Sequence, residues 1–220
     1  MTSSSHPDSP VSLVASAGEI IIDFVHGKLD YRRKYGGGKS QALSKAVGLH
    51  KAMGELKVFD ATAGLGRDSF VLACLGATVL ACERHPQVFV ALQDGLQRAQ
   101  ADEELGPMLS DKMTVVNADA IELLSGSNFV VVAEFKPDVI YLDPMHPPQK
   151  KTALAKKEMR IFREIVGSDD DQIELLKAAL NYPANRVVVK RPAHAAPLLE
   201  GVSHAIKGKT TRFDVYMAQS

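Results

Sequence analysis

One stretch constrains the fold of this chain more than any other: Val58-Phe59-Asp60-Ala61-Thr62-Ala63-Gly64-Leu65-Gly66-Arg67-Asp68. A short apolar run ends in an acid, breaks into a turn with two glycines, and reopens on residues with helical periodicity. The pattern predicts a strand over 58–62, a tight loop, and a helix from about Arg67 to Leu75 stopped by Gly76. Gly64 and Gly66 carry no Cβ that would hold a ligand away from the backbone. The first N–H groups of the helix point at the same place. Turns built this way bind nucleotide-like cofactors.

The rest of the chain repeats the alternation. A strand over 78–83 ends in Glu83 and precedes a helix that starts at Pro86, a favourable first-turn position. Phe89, Leu92, Leu96 and Ala99 recur at helical spacing along it and are expected to form its buried face. Strand 113–117 leads to Ala118-Asp119-Ala120, and strand 139–142 runs straight into Asp143-Pro144-Met145-His146-Pro147-Pro148. The run Asp169-Asp170-Asp171 is expected to cap a helix in which Ile173, Leu176 and Leu180 share a face. Strand 186–190 follows, and 204–207 with 212–217 suggest a closing antiparallel pair. Such alternation gives an α/β fold, a mainly parallel sheet with helices on both faces. Ligands then sit at the carboxyl ends of the strands, where every motif above falls. Ahead of this domain, which spans 55–220, residues 1–17 are rich in Ser and Pro and are expected to be poorly ordered. Residues 18–54 are expected to carry a strand over 19–25, a Gly-rich basic loop and a helix over 41–47.

The glycine pair alone leaves the cofactor open. A dinucleotide fingerprint needs a third Gly or Ala, and Ser69 stands there. That counts against an oxidoreductase using NAD. Glu83 is placed to accept two hydrogen bonds from a ribose diol. An Asp-Pro pair at a strand end suits a planar amine. In this order, glycine turn, ribose acid and Asp143-Pro144 read as S-adenosylmethionine (SAM) with a methyl-accepting amine.

Composition bounds the partners. The 220 residues are 45% hydrophobic and 24% charged, and 26 basic side chains balance 26 acidic ones, so bulk charge selects no partner. The local distribution is more telling. Lys28 to Lys39 holds five bases and one acid, and Lys150 to Arg163 holds six bases and one acid. Bases of this kind contact nucleic-acid phosphates and position an RNA without reading its sequence. No apolar run approaches membrane-spanning length and no leader pattern opens the chain, which predicts a cytoplasmic protein. Cys74 and Cys82 lack metal spacing and read as buried thiols, and no clustered His/Cys spacing offers a metal site.

Asp60 through Asp68, Glu83-Arg84, Tyr141 through Met145, Lys156 through Arg160 and Val187 through Pro192 together resemble the ribosomal RNA small subunit methyltransferase J family. The resemblance runs from about Gly18 to the C-terminus. It implies a Rossmann-like class I SAM-dependent methyltransferase that modifies the exocyclic N2 of a guanine in 16S ribosomal RNA. It also implies that Asp60, Arg67, Asp68 and Arg84 belong to the cofactor site beside Gly64, Gly66 and Glu83. Asp119 and Ala120 correspond to the adenine-binding position, where the family commonly has a small hydroxyl residue. Asp143 and Pro144 are the expected catalytic pair, with Asp143 also bordering the cofactor. His146, where family members often place an aromatic, is a candidate to stack on the target base. Lys150, Lys151, Lys190, Arg191, Arg33 and Lys39 are candidates for RNA contact. Methylation of another planar amine, adenine N6 or a protein amide, stays open, as does a non-catalytic SAM-binding ribosome assembly factor.

Overall fold

A computed structural model describes residues 9–26, 38–126, 130–144, 153–167, 170–208 and 210–218. Arg33, His146, Lys150, Lys151, Asp169 and most of the Gly-rich basic loop lie outside them.

The chain opens with an antiparallel hairpin of β1 (Ser12–Ala15) and β2 (Gly18–Ile21), then α1 (Ala42–Val47). Next come β3 (Lys57–Asp60), α2 (Arg67–Cys74), β4 (Thr78–Glu83), α3 (Pro86–Gln100), the short α4 (Gly106–Leu109) and β5 (Met113–Asn117). The second half holds α5 (Ala120–Ser125), α6 (Val130–Phe135), β6 (Val139–Leu142), α7 (Ala153–Val166) and α8 (Gln172–Asn181). It closes with β7 (Arg186–Pro192), β8 (His204–Lys207) and β9 (Thr211–Met217). Seven strands form one sheet in the order β5-β4-β3-β6-β7-β9-β8. The first five run parallel; β9 lies antiparallel to both β7 and β8. The mainly parallel sheet and the closing antiparallel pair are as the sequence predicts.

Side chains alternate across this sheet with period two, and the alternation builds two cores. Val58, Val79, Ala81, Val139, Tyr141 and Val188 face α1, α2, α3, Ile161 and Phe162 of α7, and the N-terminal hairpin. Phe59, Leu80, Cys82, Ile140, Leu142, Val187 and Val189 face α5, α6 and α8. The parity then decides where the strand-end polar residues go. Asp60 follows Val58, and Lys190 follows Val188, so both turn toward the α2 side. Arg191 follows Val189 and turns toward α8.

Several expectations need correction. Phe89 is only half-buried, with Val88 on the inner face of α3 instead, and Cys74 is half-buried as well. Residues 12–15 lie in the stretch expected to be poorly ordered, yet they form β1, because Leu13 is buried and pairs with Ile20 across the hairpin. The second strand ends at Ile21 rather than Val25. Asp23 Oδ1 accepts the N–H groups of Val25 and His26 at 2.9 and 3.1 Å, and this turn stops the strand. In α8 the buried face is Leu175, Leu176, Ala178 and Ala179, while Ile173 and Leu180 are exposed. The helix presents a phase set by the sheet beneath it. Asp171 stands at its N-cap position but makes no capping hydrogen bond.

The hairpin is tied to α3 and α7. Glu164 of α7 accepts from Ser16 N and Oγ, each at 2.7 Å. Arg98 of α3 donates to the Ile22 carbonyl at 2.6 Å. One turn earlier, a Cβ at Gly95 would stand 2.7 Å from that same carbonyl oxygen. Ala is the better helix former by about 1 kcal/mol, but overpacking against backbone costs about 1–3 kcal/mol. Gly95→Ala is therefore expected to lower the midpoint of chemical denaturation, against helix propensity. An unchanged or raised midpoint would mean that the hairpin does not hold this position on α3.

Candidate active site

The parallel register brings strand ends level. Asp60 pairs with Ala81 on one side and Tyr141 on the other, and Leu142 pairs with Val189. The turn after β3 is stitched to its neighbours. Ala61 N donates to Tyr141 O at 2.9 Å, and Ala63 N to Cys82 O at 3.0 Å. Asp143 N donates to Thr62 Oγ1 at 2.6 Å, which joins the glycine turn to the Asp-Pro strand end.

A cleft opens over these ends. Its floor is Ala61, Thr62, Gly64, Glu83, Arg84, Asp119, Ala120, Asp143 and Pro144. Ile121, Phe162, Val166 and Leu175 supply apolar walls, and Asp171 and Gln172 complete the rim. Glu83 is 5% exposed, and its two oxygens accept from Gly64 N at 2.9 Å and His85 N at 2.7 Å. Those bonds fix the carboxylate at the end of β4. Asp119 accepts from Ile121 N at 2.7 Å and so caps α5. Arg84 pairs with Asp171 at 2.6 Å across the rim. The donor set fits SAM: a fixed acid for a ribose diol, a second acid one strand along, and an apolar wall for a purine.

The two glycines serve different ends. Gly64 (φ 53°) lines the cleft, and a Cβ there would come within 3.2 Å of Phe162 Cζ. Gly66 (φ 69°) faces inward, where a Cβ would collide with Leu92 Cδ1 and stand 3.0 Å from Phe24 Cζ. Its absent side chain makes room for the core, in which Phe24 stacks on Phe70 with ring centroids 4.8 Å apart.

Beneath the cleft lies a buried polar layer. Asp60 accepts from Thr62 N at 3.1 Å and from the Ser69 hydroxyl. Asp68 accepts from Tyr141 Oη at 2.7 Å and from Lys190 Nζ at 2.7 Å, and Lys190 Nζ also donates to Asp143 at 2.6 Å. Burial, followed by the Asp68, Asp143 and Asp60 charges, pushes the Tyr141 phenol well above its usual value, so it stays a donor. For Lys190, burial alone would weaken the ammonium, but the Asp143 and Asp68 carboxylates outweigh it and raise its pKa.

The sequence-predicted residues thus separate into groups. Gly64, Glu83, Arg84, Asp119, Ala120, Asp143 and Pro144 line the cleft; Asp60, Gly66, Arg67, Asp68, Lys39, Lys190 and Arg191 do not. Arg67 is exposed and pairs with Glu158 of α7 at 2.8 Å. Lys39 is exposed in a short 3-10 turn. Arg191 donates to the Ala196 carbonyl at 3.0 Å, and burial lowers its pKa. Sequence reasoning missed Thr62, Phe162 and the Arg84–Asp171 pair. Strand parity was the available signal for Lys190; nothing local marks Phe162, which reaches the cleft only through the packing of α7.

Fold and site define a class I SAM-dependent methyltransferase. The family described as "Putative SAM-dependent methyltransferase" matches residues 11–218. A protein of Shewanella amazonensis named ribosomal RNA small subunit methyltransferase J is 52% identical over 91% of this chain and 78% of its own length. Its namesake from Serratia proteamaculans is 49% identical over the same shares. The chain belongs to the ribosomal RNA small subunit methyltransferase J family. The crystal structure of a SAM-dependent methyltransferase from Neisseria gonorrhoeae superposes with a TM-score of 0.70 at 39% identity, covering 92% of this chain and 76% of that one. Among the described residues, no helix is long and apolar enough to cross a membrane.

Asp60 offers a test of the buried layer. Burial raises its pKa from an ordinary 3.8 to about 7. The folded state therefore holds a proton that the unfolded chain releases, and stability falls as pH rises from about 4 to about 7. At about 1.4 kcal/mol per pH unit the penalty is on the order of 4 kcal/mol. Asn carries no charge; its Oδ1 can still accept from Thr62 N while its Nδ2 donates to the Ser69 hydroxyl. Asp60→Asn is expected to flatten that slope in denaturation curves taken across the window; equal slopes in the two proteins would contradict the assignment.

Proposed function

We propose that this protein transfers the methyl group of SAM to the exocyclic N2 of a guanine in small-subunit (16S) ribosomal RNA, in the cytoplasm. The observation that carries the reading is that Asp143 and Pro144 line the same cleft as Glu83 and Asp119. Family membership supports the ribosomal substrate, since the relatives are named for it.

SAM supplies an electrophilic methyl group on a sulfonium. Transfer to nitrogen is a direct displacement, so the protein's main task is alignment. Glu83 accepts from the ribose hydroxyls. Asp119 accepts from the adenine amine, and Ile121 and Leu175 cover the ring. The guanine N2 is a poor nucleophile because its lone pair is delocalised into the ring. Hydrogen bonds from N2 to the Asp143 carboxylate and the Pro144 carbonyl turn that lone pair toward the methyl group. They also stabilise the positive charge that develops on nitrogen. A paired guanine cannot reach this cleft, so the base is extruded. His146 stacks on it, while Arg33, Lys39, Lys150, Lys151 and Arg191 hold phosphates. Asp60 and Gly66 shape the turn from behind, and Arg67 and Asp68 anchor the helix that follows it.

The reading is tested by transfer of labelled methyl from SAM to small ribosomal subunits that lack the modification, with the product nucleoside identified by mass spectrometry. N2-methylguanosine is expected, and Asp143→Ala is expected to lower its rate by at least about 100-fold. Label on adenine or on protein would overturn the substrate. No transfer at all, with SAM bound, would leave an assembly factor. Separately, Glu83→Ala is expected to weaken SAM binding about 10- to 100-fold in titration calorimetry, the loss of charged hydrogen bonds.

A further inference from the structure

Lys190 was expected at the RNA. Instead its side chain is 23% exposed and its ammonium bridges Asp68 and Asp143 at 2.7 and 2.6 Å. We propose that Lys190 is a positioning residue for methyl transfer: by bridging Asp68 and Asp143 it fixes the Asp143 carboxylate in one orientation and keeps it a charged acceptor. The inference rests on the reading of Asp143 as the group that receives the target amine.

The argument is one of charge and direction. Asp60 and Asp68 lie behind the cleft and Asp143 lines it, the three close enough that Asp60 feels the charge of both others. Carboxylates crowded in this way favour protonation of one of them. A protonated Asp143 would turn an O–H toward an amine that is itself a donor, and alignment would fail. An ammonium between two of the acids removes the conflict. Among the described residues, the other charged and titratable groups packed nearby have partners of their own. Tyr141 on β6 donates to Asp68. On β9, Phe213 lies opposite Lys190, and the neighbouring Asp214 is held by Arg212 at 2.6 Å. On α7, Glu158 is held by Arg67.

The test uses two substitutions that push Asp143 in opposite directions. Lys190→Met removes the ammonium that bridges Asp68 and Asp143. Asp68→Asn removes one of the two anions bridged by Lys190 and keeps the ammonium beside Asp143. The titration of the Asp143 carboxyl is followed by carbon-13 NMR on the RNA-free protein, its resonance assigned with Asp143→Asn. Lys190→Met is expected to raise the midpoint by about one to two pH units, and Asp68→Asn to lower it. The acid limb of the methyl-transfer rate, at saturating SAM, is expected to follow. Lys190→Arg, which keeps the charge, is expected to hold the limb near its native position. A residue that merely supports the fold would move both variants the same way or neither, and either result overturns the proposal. Should Lys190→Met fail to fold, Asp68→Asn and Lys190→Arg decide it: an unmoved Asp68→Asn midpoint overturns it, and a lowered one supports it. Because the titration needs no RNA, opposite shifts with a product other than N2-methylguanosine would sustain Lys190's role and refute the guanine reading.

Discussion

Register is the constraint on which the rest of this molecule depends. Parallel pairing aligns Asp60 with Ala81 and Tyr141, and Leu142 with Val189, so β3, β4 and β6 stop within two residues of the same line while β7 runs on to Pro192. A turn, two acids and an Asp-Pro pair that are remote in sequence then border one cleft. Period-two alternation adds the second dimension. The side chains of Asp60, Tyr141 and Lys190 fall beneath the cleft on the α2 side. A slip of one residue in any strand would invert that assignment.

Placing charge in such a layer is costly unless it is paired. The structure meets that cost with hydrogen bonds drawn from different elements. Ser69 and Tyr141 donate to Asp60 and Asp68, and Lys190 reaches both Asp68 and Asp143. Asp60 stands apart, since burial leaves it near neutrality. The layer joins β3, α2, β6 and β7, so the glycine turn and the Asp-Pro strand end share one polar foundation.

Much of this was legible in the sequence, for a physical reason. Strands buried on both faces read as uninterrupted apolar runs, as in Val58-Phe59 or Val187 to Val189, and each ends where polarity returns. The acids at those ends, Asp60, Glu83 and Asp143, were therefore visible as a set. What escaped depends on tertiary context. The Ser- and Pro-rich composition near the N-terminus hid the short run Ser12–Ala15, in which Leu13 turns inward and Val14 outward to make β1. Ile173 and Leu180 have the spacing of a buried face, but the sheet selects Leu175 and Ala179 instead. Lys190 has the composition of a phosphate contact, and only the alternation of β7 reveals that it turns toward carboxylates. Phe162 belongs to the cleft through the seating of α7, a relation no local pattern encodes.

The position of β9 bears on how such a chain matures. Synthesis proceeds from the N-terminus, so every motif residue through Lys190 is made before β9, which covers the outer edge of β7 from Arg186 to Pro192. Until β9 is made, β7 is an open edge with unpaired backbone groups, and the strand that sets Lys190 between its two acids is held from one side only. Completion of the sheet and bracing of the strand that carries Lys190 are then a single event. A nascent chain carries the glycine turn early, but the polar layer beneath it stays braced on one side until its closing strand docks.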